Sequence, residues 1–161
     1  MNYYDATAKG YEELHKEEQR KKIKLIKKHF SVSPEEKLLD VGCGTGLTTE
    51  PWQCRRYGID PSKELLKRAR QQEHIIYKKA AAESIPYQDH FFDIVISITA
   101  IQNFQDIEQA LREMKRVGKN RFVLTFLKKS PKRKKIESVI FKQFKVSKKL
   151  EEEKDTIYFI G

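Results

Sequence analysis

Cysteine is scarce in this chain: Cys43 and Cys54, eleven positions apart, are the two among 161 residues. Such a pair builds neither a disulfide framework nor a zinc knuckle, so no metal centre is expected and a reducing, cytoplasmic setting is. No apolar run reaches membrane-spanning length, and Met1 leads into polar residues rather than a secretory leader, so no membrane association is expected. No internal repeat or low-complexity linker interrupts the chain. Acidic residues are outnumbered, 23 Asp and Glu against 33 Lys and Arg, for a formal charge of +10. An enzyme of neutral metabolites needs no such excess. A protein approaching a polyphosphate gains counterion-release free energy and association rate from it. A lysine-rich proteome is the other reading, since heavy Lys and Glu use is one hyperthermophile signal. The clustering of the charge favours nucleic acid.

What is present is an alternation of apolar runs and charged helical stretches, in a chain long enough for one domain. Tyr11–Phe30 reads as a charged helix with a thin apolar stripe at Leu14, Ile23, Ile26 and Phe30. Strands are predicted at Lys37–Val41, Arg56–Asp60, His74–Lys78, Phe92–Thr99 and Arg121–Phe126. The fourth is so continuously apolar that it needs burial on both faces. Helices are predicted at Lys63–Gln72, introduced by Pro61-Ser62, at Asp106–Val117, and around Ile136–Phe141. Short strands near Phe144–Val146 and Thr156–Phe159, with Glu151-Glu152-Glu153 between them, close the chain.

The run Leu38-Leu39-Asp40-Val41-Gly42-Cys43-Gly44-Thr45-Gly46 drives a buried strand into three alternating glycines. One glycine suffices for a surface turn; three at every second position let backbone pass close to a ligand at positive φ. Strand, glycine loop and helix start together make a nucleotide-type site in an open α/β sheet. The G-x-G-x-G spacing, with an acid two residues before the first glycine, differs from the G-x-G-x-x-G of dinucleotide oxidoreductases. Asp60, fourteen residues after Gly46, ends the short strand in Tyr57-Gly58-Ile59-Asp60-Pro61-Ser62, an arrangement that binds ribose hydroxyls.

These residues resemble the first motifs of the class I S-adenosylmethionine-dependent methyltransferases. The resemblance covers roughly residues 3–161. It implies an α/β, Rossmann-like doubly wound sheet of about seven mostly parallel strands, the last antiparallel at one edge. It also implies a single domain, 1–161, with 1–30 as an N-terminal lid and helix. By the same resemblance the backbone of Gly42, Cys43, Gly44 and Gly46 lies against the methionine end of S-adenosylmethionine. Asp40 then orients the loop and the amino group, and Asp60 and Pro61 meet the ribose. Ala81-Ala82-Glu83-Ser84-Ile85-Pro86-Tyr87 echoes the family's acid-alanine-glutamate run and places Ala82 and Glu83 beside the cofactor. Ala81 stands where the family often has an aspartate, so the Ala82 N–H must serve the adenine. Tyr3-Tyr4-Asp5-Ala6-Thr7-Ala8-Lys9-Gly10-Tyr11 resembles a Y-D-x-x-A-x-x-Y lid, with Tyr4 and Tyr11 closing over the cofactor and lining the substrate entrance. Helix packing is the other reading of Tyr11. The Gly46–Asp60 interval is shorter than usual in the family, and Pro51-Trp52 make it a stub. Either the sheet face there is left for a partner, or Trp52 fills it.

Ser97-Ile98-Thr99-Ala100-Ile101-Gln102-Asn103-Phe104 is the expected catalytic loop, because ligands in open sheets sit beyond the strands' carboxyl ends. It carries neither the D/N-P-P-Y motif of exocyclic amino methylation nor the Pro-Cys of cytosine carbon-5 chemistry. Thr99-Ala100-Ile101-Gln102 is similar to the Ser-Ala-Val-Gln stretch of a eukaryotic small-subunit rRNA methyltransferase that modifies guanine N7. A ring nitrogen already carries its lone pair, so transfer to it needs alignment more than a base. The candidate catalytic residues are Thr99, Gln102, Asn103 and Tyr4, with Thr99 also at the cofactor and Gln102 or Asn103 at the base edge. Lys128, Lys129, Lys132, Arg133, Lys134 and Lys135 follow the fifth strand onto the same rim, for contact with an RNA backbone; a solvated charge run is the other reading. The expected activity is methylation of a tRNA or rRNA base. A small-molecule methyltransferase and a non-catalytic RNA-binding subunit of the same fold are the alternatives. Resemblance to archaeal RNA methyltransferases that use a small zinc-ribbon activator protein implies a partner at the third strand, through Ile75, Ile76 and Tyr77.

Overall fold

The computed structural model describes residues 3–161, with side chains from Gly10 onward. The chain divides into two compact units, one ending at Ser31 and the other spanning Val32–Gly161. The first is built on α1 (Tyr3–Lys27), whose last turn carries Lys24 and Lys27, the sign that suits a helix C-terminus. Ile23, Ile26 and Phe30 of the predicted stripe are buried, whereas Leu14 is exposed.

The second unit is a seven-stranded sheet of β1 (Lys37–Val41), β2 (Arg55–Asp60), β3 (Ile75–Lys79), β4 (Phe92–Ser97), β5 (Gly118–Leu127), β6 (Val146–Glu151) and β7 (Asp155–Ile160), with helices α2 (Lys63–Lys67), α3 (Ile107–Val117) and α4 (Arg133–Gln143). The strand order is β3-β2-β1-β4-β5-β7-β6. The first five strands pair in parallel, and β7 runs antiparallel to both β5 and β6. This is the expected doubly wound α/β architecture.

One placement differs. The antiparallel strand β7 lies one position in from the edge, which belongs to β6. All six residues of β7 are buried, so it needs neighbours on both sides; β6, with Lys148 and Lys149 exposed, suits the rim. β6 also starts where the predicted strand ended. Phe144 instead closes α4 and packs edge-on against Phe122, centroids 5.0 Å apart.

The helices follow their buried faces. In α3, Ile107, Ala110, Leu111, Met114 and Val117 form one apolar stripe, and the Asp106 side chain caps the start by accepting from the Gln109 N–H. α2 stops at Lys67, short of the predicted Gln72, because none of its residues is buried to extend it beyond the turn that its Ser62 cap starts. Residues 47–54 form turns rather than a helix. Trp52 is 1% exposed and donates through Nε1 to Thr48 O at 2.9 Å, so it fills the gap left by the stub.

Twelve residues without a helix join β3 to β4. Arg116 ties them down: its guanidinium donates to Ile85 O, Tyr87 O and Asp89, and it also pairs with Glu113. Tyr87 and Phe91 from this connection join Tyr57 and Phe92 in an aromatic cluster with centroids 4.9–5.7 Å apart.

Candidate cofactor and acceptor site

The strand order reverses between β1 and β4, and the loops leaving these strands meet there, where open α/β sheets take their ligands. In the glycine loop, Gly42, Gly44 and Gly46 have φ of +78°, +54° and +85°. A Cβ at such angles costs about 1–2 kcal/mol, so backbone shape alone calls for glycine. Gly42 and Cys43 donate to Ile59 O at 2.8 and 3.0 Å, which seats the loop over β2. Crowding adds to this at two of the three positions. A Cβ on Gly42 would lie 2.7 Å from the Ala100 Cβ, and one on Gly46 would collide with the Tyr77 hydroxyl. At Gly44 a Cβ would meet only Leu65 Cδ1, at 3.9 Å, which makes Gly44 the open point of the loop.

Two carboxylates frame this loop. Asp60 closes β2 and is 8% exposed; its Oδ2 accepts from the Gly44 N–H at 2.9 Å and its Oδ1 from the Ser62 N–H at 2.8 Å. Each oxygen keeps lone-pair capacity for a further donor. Asp40 is fully buried. Its Oδ2 accepts from the Thr48 and Thr49 hydroxyls, each at 2.7 Å, while its Oδ1 is buried without a partner.

Burial pushes the Asp40 carboxyl up to about 6, against the pull of the two threonine hydroxyls and with help from the Asp60 charge. A raised carboxyl pKa means that the fold disfavours the ionised form. This group's stabilising contribution is therefore full below its ordinary value of 3.8 and lost as pH rises through about 6. Asp40→Asn removes that dependence. In urea melts the native chain should gain about 2 kcal/mol on the variant between pH 8 and pH 4, most of it below pH 6; parallel pH profiles would refute the assignment.

The other residues expected at the cofactor take mixed positions. Cys43 is buried, with its thiol against Gly58, and burial raises the thiol pKa. Pro61 is exposed and Ala82 is buried in the core cluster. Glu83 Oε1 accepts from the Gln105 and Asp106 N–H groups at 3.1 and 3.4 Å, so it fastens the β3–β4 connection to the start of α3. Tyr11 is 72% exposed on α1, and Tyr4 falls among the residues whose side chains lie outside the described part.

β4 ends at Ser97, two residues before the predicted Thr99, because Thr99 itself turns left-handed with φ of +54°. Gln102 donates through Nε2 to Thr99 O at 2.9 Å, and its Oε1 is enclosed without a partner. Asn103, at the end of the short 3₁₀ turn Ile101–Asn103, is exposed. The basic segment is only partly a loop: α4 begins at Arg133, so Arg133, Lys134 and Lys135 form its first turn. Lys128 pairs with Glu151 at 3.4 Å and Arg133 with Glu137 at 3.2 Å, Lys132 donates to Gln102 O at 3.1 Å, and Lys129, Lys134 and Lys135 are exposed.

Sequence reasoning missed Thr48 and Thr49, which brace Asp40, and Thr125 and Asp155, which hold Thr99. The adjacent threonines just after the glycine loop were a usable signal, as was an acid opening the largely apolar β7. Nothing local announced Tyr77 beneath Gly46. Among the described residues no helix is long and apolar enough to cross a membrane, and no group of three or more His, Cys, Asp or Glu is placed to hold a metal ion.

The model of the Methyltransferase domain family matches residues 39–126. YcgJ of Bacillus subtilis, an uncharacterized methyltransferase, is 32% identical over 111 residues, covering 62% of this chain and 44% of that protein. Its crystal structure aligns with a TM-score of 0.60 at 31% identity, over 65% of this chain and 50% of YcgJ. The malonyl-[acyl-carrier protein] O-methyltransferase of Erwinia pyrifoliae is 30% identical over 120 residues, covering 72% of this chain and 45% of that protein. A chain from the complex between the Haloferax volcanii Trm112 methyltransferase activator and a methyltransferase shares the fold, with a TM-score of 0.65 at 20% identity over 78% of this chain and 61% of that one. The chain spans about half the length of the curated relatives it matches. With a family match running from β1 into β5, over more than half of its residues, this protein belongs to the methyltransferase domain family.

Proposed function

We propose that this chain transfers the methyl group of S-adenosylmethionine to a base of tRNA or rRNA in the cytoplasm, at a ring nitrogen such as guanine N7. The residues present fit that cofactor: an open cradle at Gly44, free lone-pair capacity on Asp60, and an unpartnered buried oxygen on Asp40 that suits an ammonium group. When bound, S-adenosylmethionine supplies an electrophilic methyl on its sulfonium. The glycine-loop backbone would hold the methionine end, Asp40 the amino group and Asp60 the ribose hydroxyls. Asn103, exposed on the acceptor loop, reads the base edge, while Gln102 braces that loop from within through Thr99 O. A ring nitrogen brings its own lone pair, so these side chains have alignment to supply rather than proton abstraction.

The observation that carries the RNA reading is the bond from Lys132 Nζ to Gln102 O, which ties the basic segment to the acceptor loop. Arg133, Lys134 and Lys135 also crowd the first turn of α4, where no acid stands. Cations there oppose the helix dipole, an arrangement that an anionic ligand relieves. Incubation with labelled S-adenosylmethionine and unmodified total RNA, followed by nucleoside mass spectrometry, should reveal one methylated base. RNA binding should weaken steeply with salt; absent or salt-insensitive binding would refute the reading. Similarity to the malonyl-[acyl-carrier protein] enzyme supports a second reading, a small-molecule acceptor, in which label enters a metabolite extract and not RNA.

The same proposal includes a small zinc-ribbon activator protein at the β3 edge. There β3 has one strand neighbour, Ile76 is 54% exposed, and a groove of about 620 Å³ is lined by Lys78, Ile85, Pro86, Tyr87, Gln88 and Phe91. The fold shared with the activator-bound Haloferax volcanii chain supports it. Rescue of solubility or activity by such a partner is the expected result, and full activity of the lone chain counts against it.

A further inference from the structure

We infer that Asp155, acting with Thr125, is the positioning residue of the acceptor loop: it holds Thr99 in the left-handed turn that lays residues 99–104 across the glycine loop. The inference rests on the reading of that loop as the acceptor site. Thr99 is β-branched and has φ of +54°, a conformation that persists only where the surroundings enforce it. The enforcing contacts converge on two residues. The Thr99 N–H donates to Thr125 Oγ1 at 2.8 Å, the Thr125 hydroxyl donates to Asp155 Oδ2 at 2.8 Å, and the Thr99 hydroxyl donates to the same Oδ2 at 2.6 Å.

Thr125 and Asp155 are both fully buried, and both stand on paired strands, near the end of β5 and at the start of β7. Thr99 is thus pinned to the sheet itself, which is how a site is held to close tolerance. Burying a carboxylate at the head of β7, whose remaining five residues are Thr156–Ile160, is expensive without hydrogen-bond donors, and the two hydroxyls supply them. Three features follow from the turn. Thr99 O is presented to Gln102 Nε2, Ala100 comes to lie against Gly42, and Asn103 is left exposed beyond them. Extended backbone at Thr99 would continue β4 and forfeit all three.

The test uses the full chain and four variants: Asp155→Asn, Thr125→Val, Thr99→Gly, and Thr99→Gly combined with Asp155→Asn. Amide hydrogen exchange, calorimetry with S-adenosylmethionine, and methyl-transfer kinetics on unmodified total RNA are measured together. Asp155→Asn and Thr125→Val should each speed exchange across 99–104 about tenfold or more, while amides of β1 and β5 hold. The cofactor Kd should stay within about twofold, and kcat should fall about tenfold with the cofactor KM unchanged. Glycine takes the left-handed turn freely, so Asp155→Asn should have a much smaller effect when Thr99 is replaced by Gly. Unchanged exchange at 99–104 in both single variants would overturn the inference. So would a parallel rise across the whole sheet, or an equal effect of Asp155→Asn in both backgrounds. If the native chain methylates no RNA, the RNA acceptor reading fails, while exchange and the double variant still decide the role of Asp155.

Discussion

Asp60→Ala should raise the dissociation constant for S-adenosylmethionine by at least about 100-fold, on the order of 3 kcal/mol, in titration calorimetry. Two losses combine. On the proposed reading the ribose hydroxyls lose a charged acceptor, and the Gly44 N–H loses the oxygen that holds it at 2.9 Å. Hydrogen bonds to a charged group contribute about 1.5–3 kcal/mol each, so the pair accounts for the expected drop. Asp60→Asn keeps one acceptor oxygen and should fall between the native chain and the alanine variant. Binding by Asp60→Ala within about tenfold of native would show that this carboxylate is not the ribose ligand. A native chain that binds no cofactor at all would favour the non-catalytic alternative.

Gly42→Ala should destabilise the fold by about 3 kcal/mol, from about 1–2 kcal/mol for a Cβ at positive φ and about 1–3 kcal/mol for overpacking. The overpacking arises because the new Cβ would stand 2.7 Å from the Ala100 Cβ. In scanning calorimetry that corresponds to a fall of about 10 °C in Tm for a domain of this size. Gly44→Ala shares the backbone penalty without the collision and should lose less stability. Ala100→Gly added to Gly42→Ala should recover the collision part alone. Equal losses of stability in Gly42→Ala and Gly44→Ala would mean that the glycine loop and residues 99–104 do not touch.

Much of this was readable in the residues. The bounds of β1 were legible because Leu38, Leu39 and Val41 lie between a polar loop and glycines, and the three left-handed turns because alternating glycines have few other uses. The α3 stripe and its Asp106 cap were legible for the same local reason. What escaped was what distant pairing decides. Ile96-Ser97-Ile98-Thr99 continues a strand pattern, and contacts from Thr125 and Asp155, 26 and 56 residues on, hold Thr99 out of it. Likewise nothing within Asp155–Ile160 states that it will slip between β5 and β6. Glu83 was placed at the cofactor by its motif, but the orientation of its carboxylate toward Gln105 and Asp106 depends on where α3 begins.

Arg116 has a further consequence for the β3–β4 connection. A connection of this length lacking helical hydrogen bonds is ordinarily a preferred site of proteolytic nicking. Here one guanidinium holds the carbonyls of Ile85 and Tyr87 and the Asp89 carboxylate together. Resistance to a protease therefore draws on this guanidinium as well as on the Glu83 contacts and the packing of Tyr87 and Phe91. Loss of Arg116 would free those two carbonyls and lengthen the time the connection spends open, and that fraction would set how quickly the chain is cut.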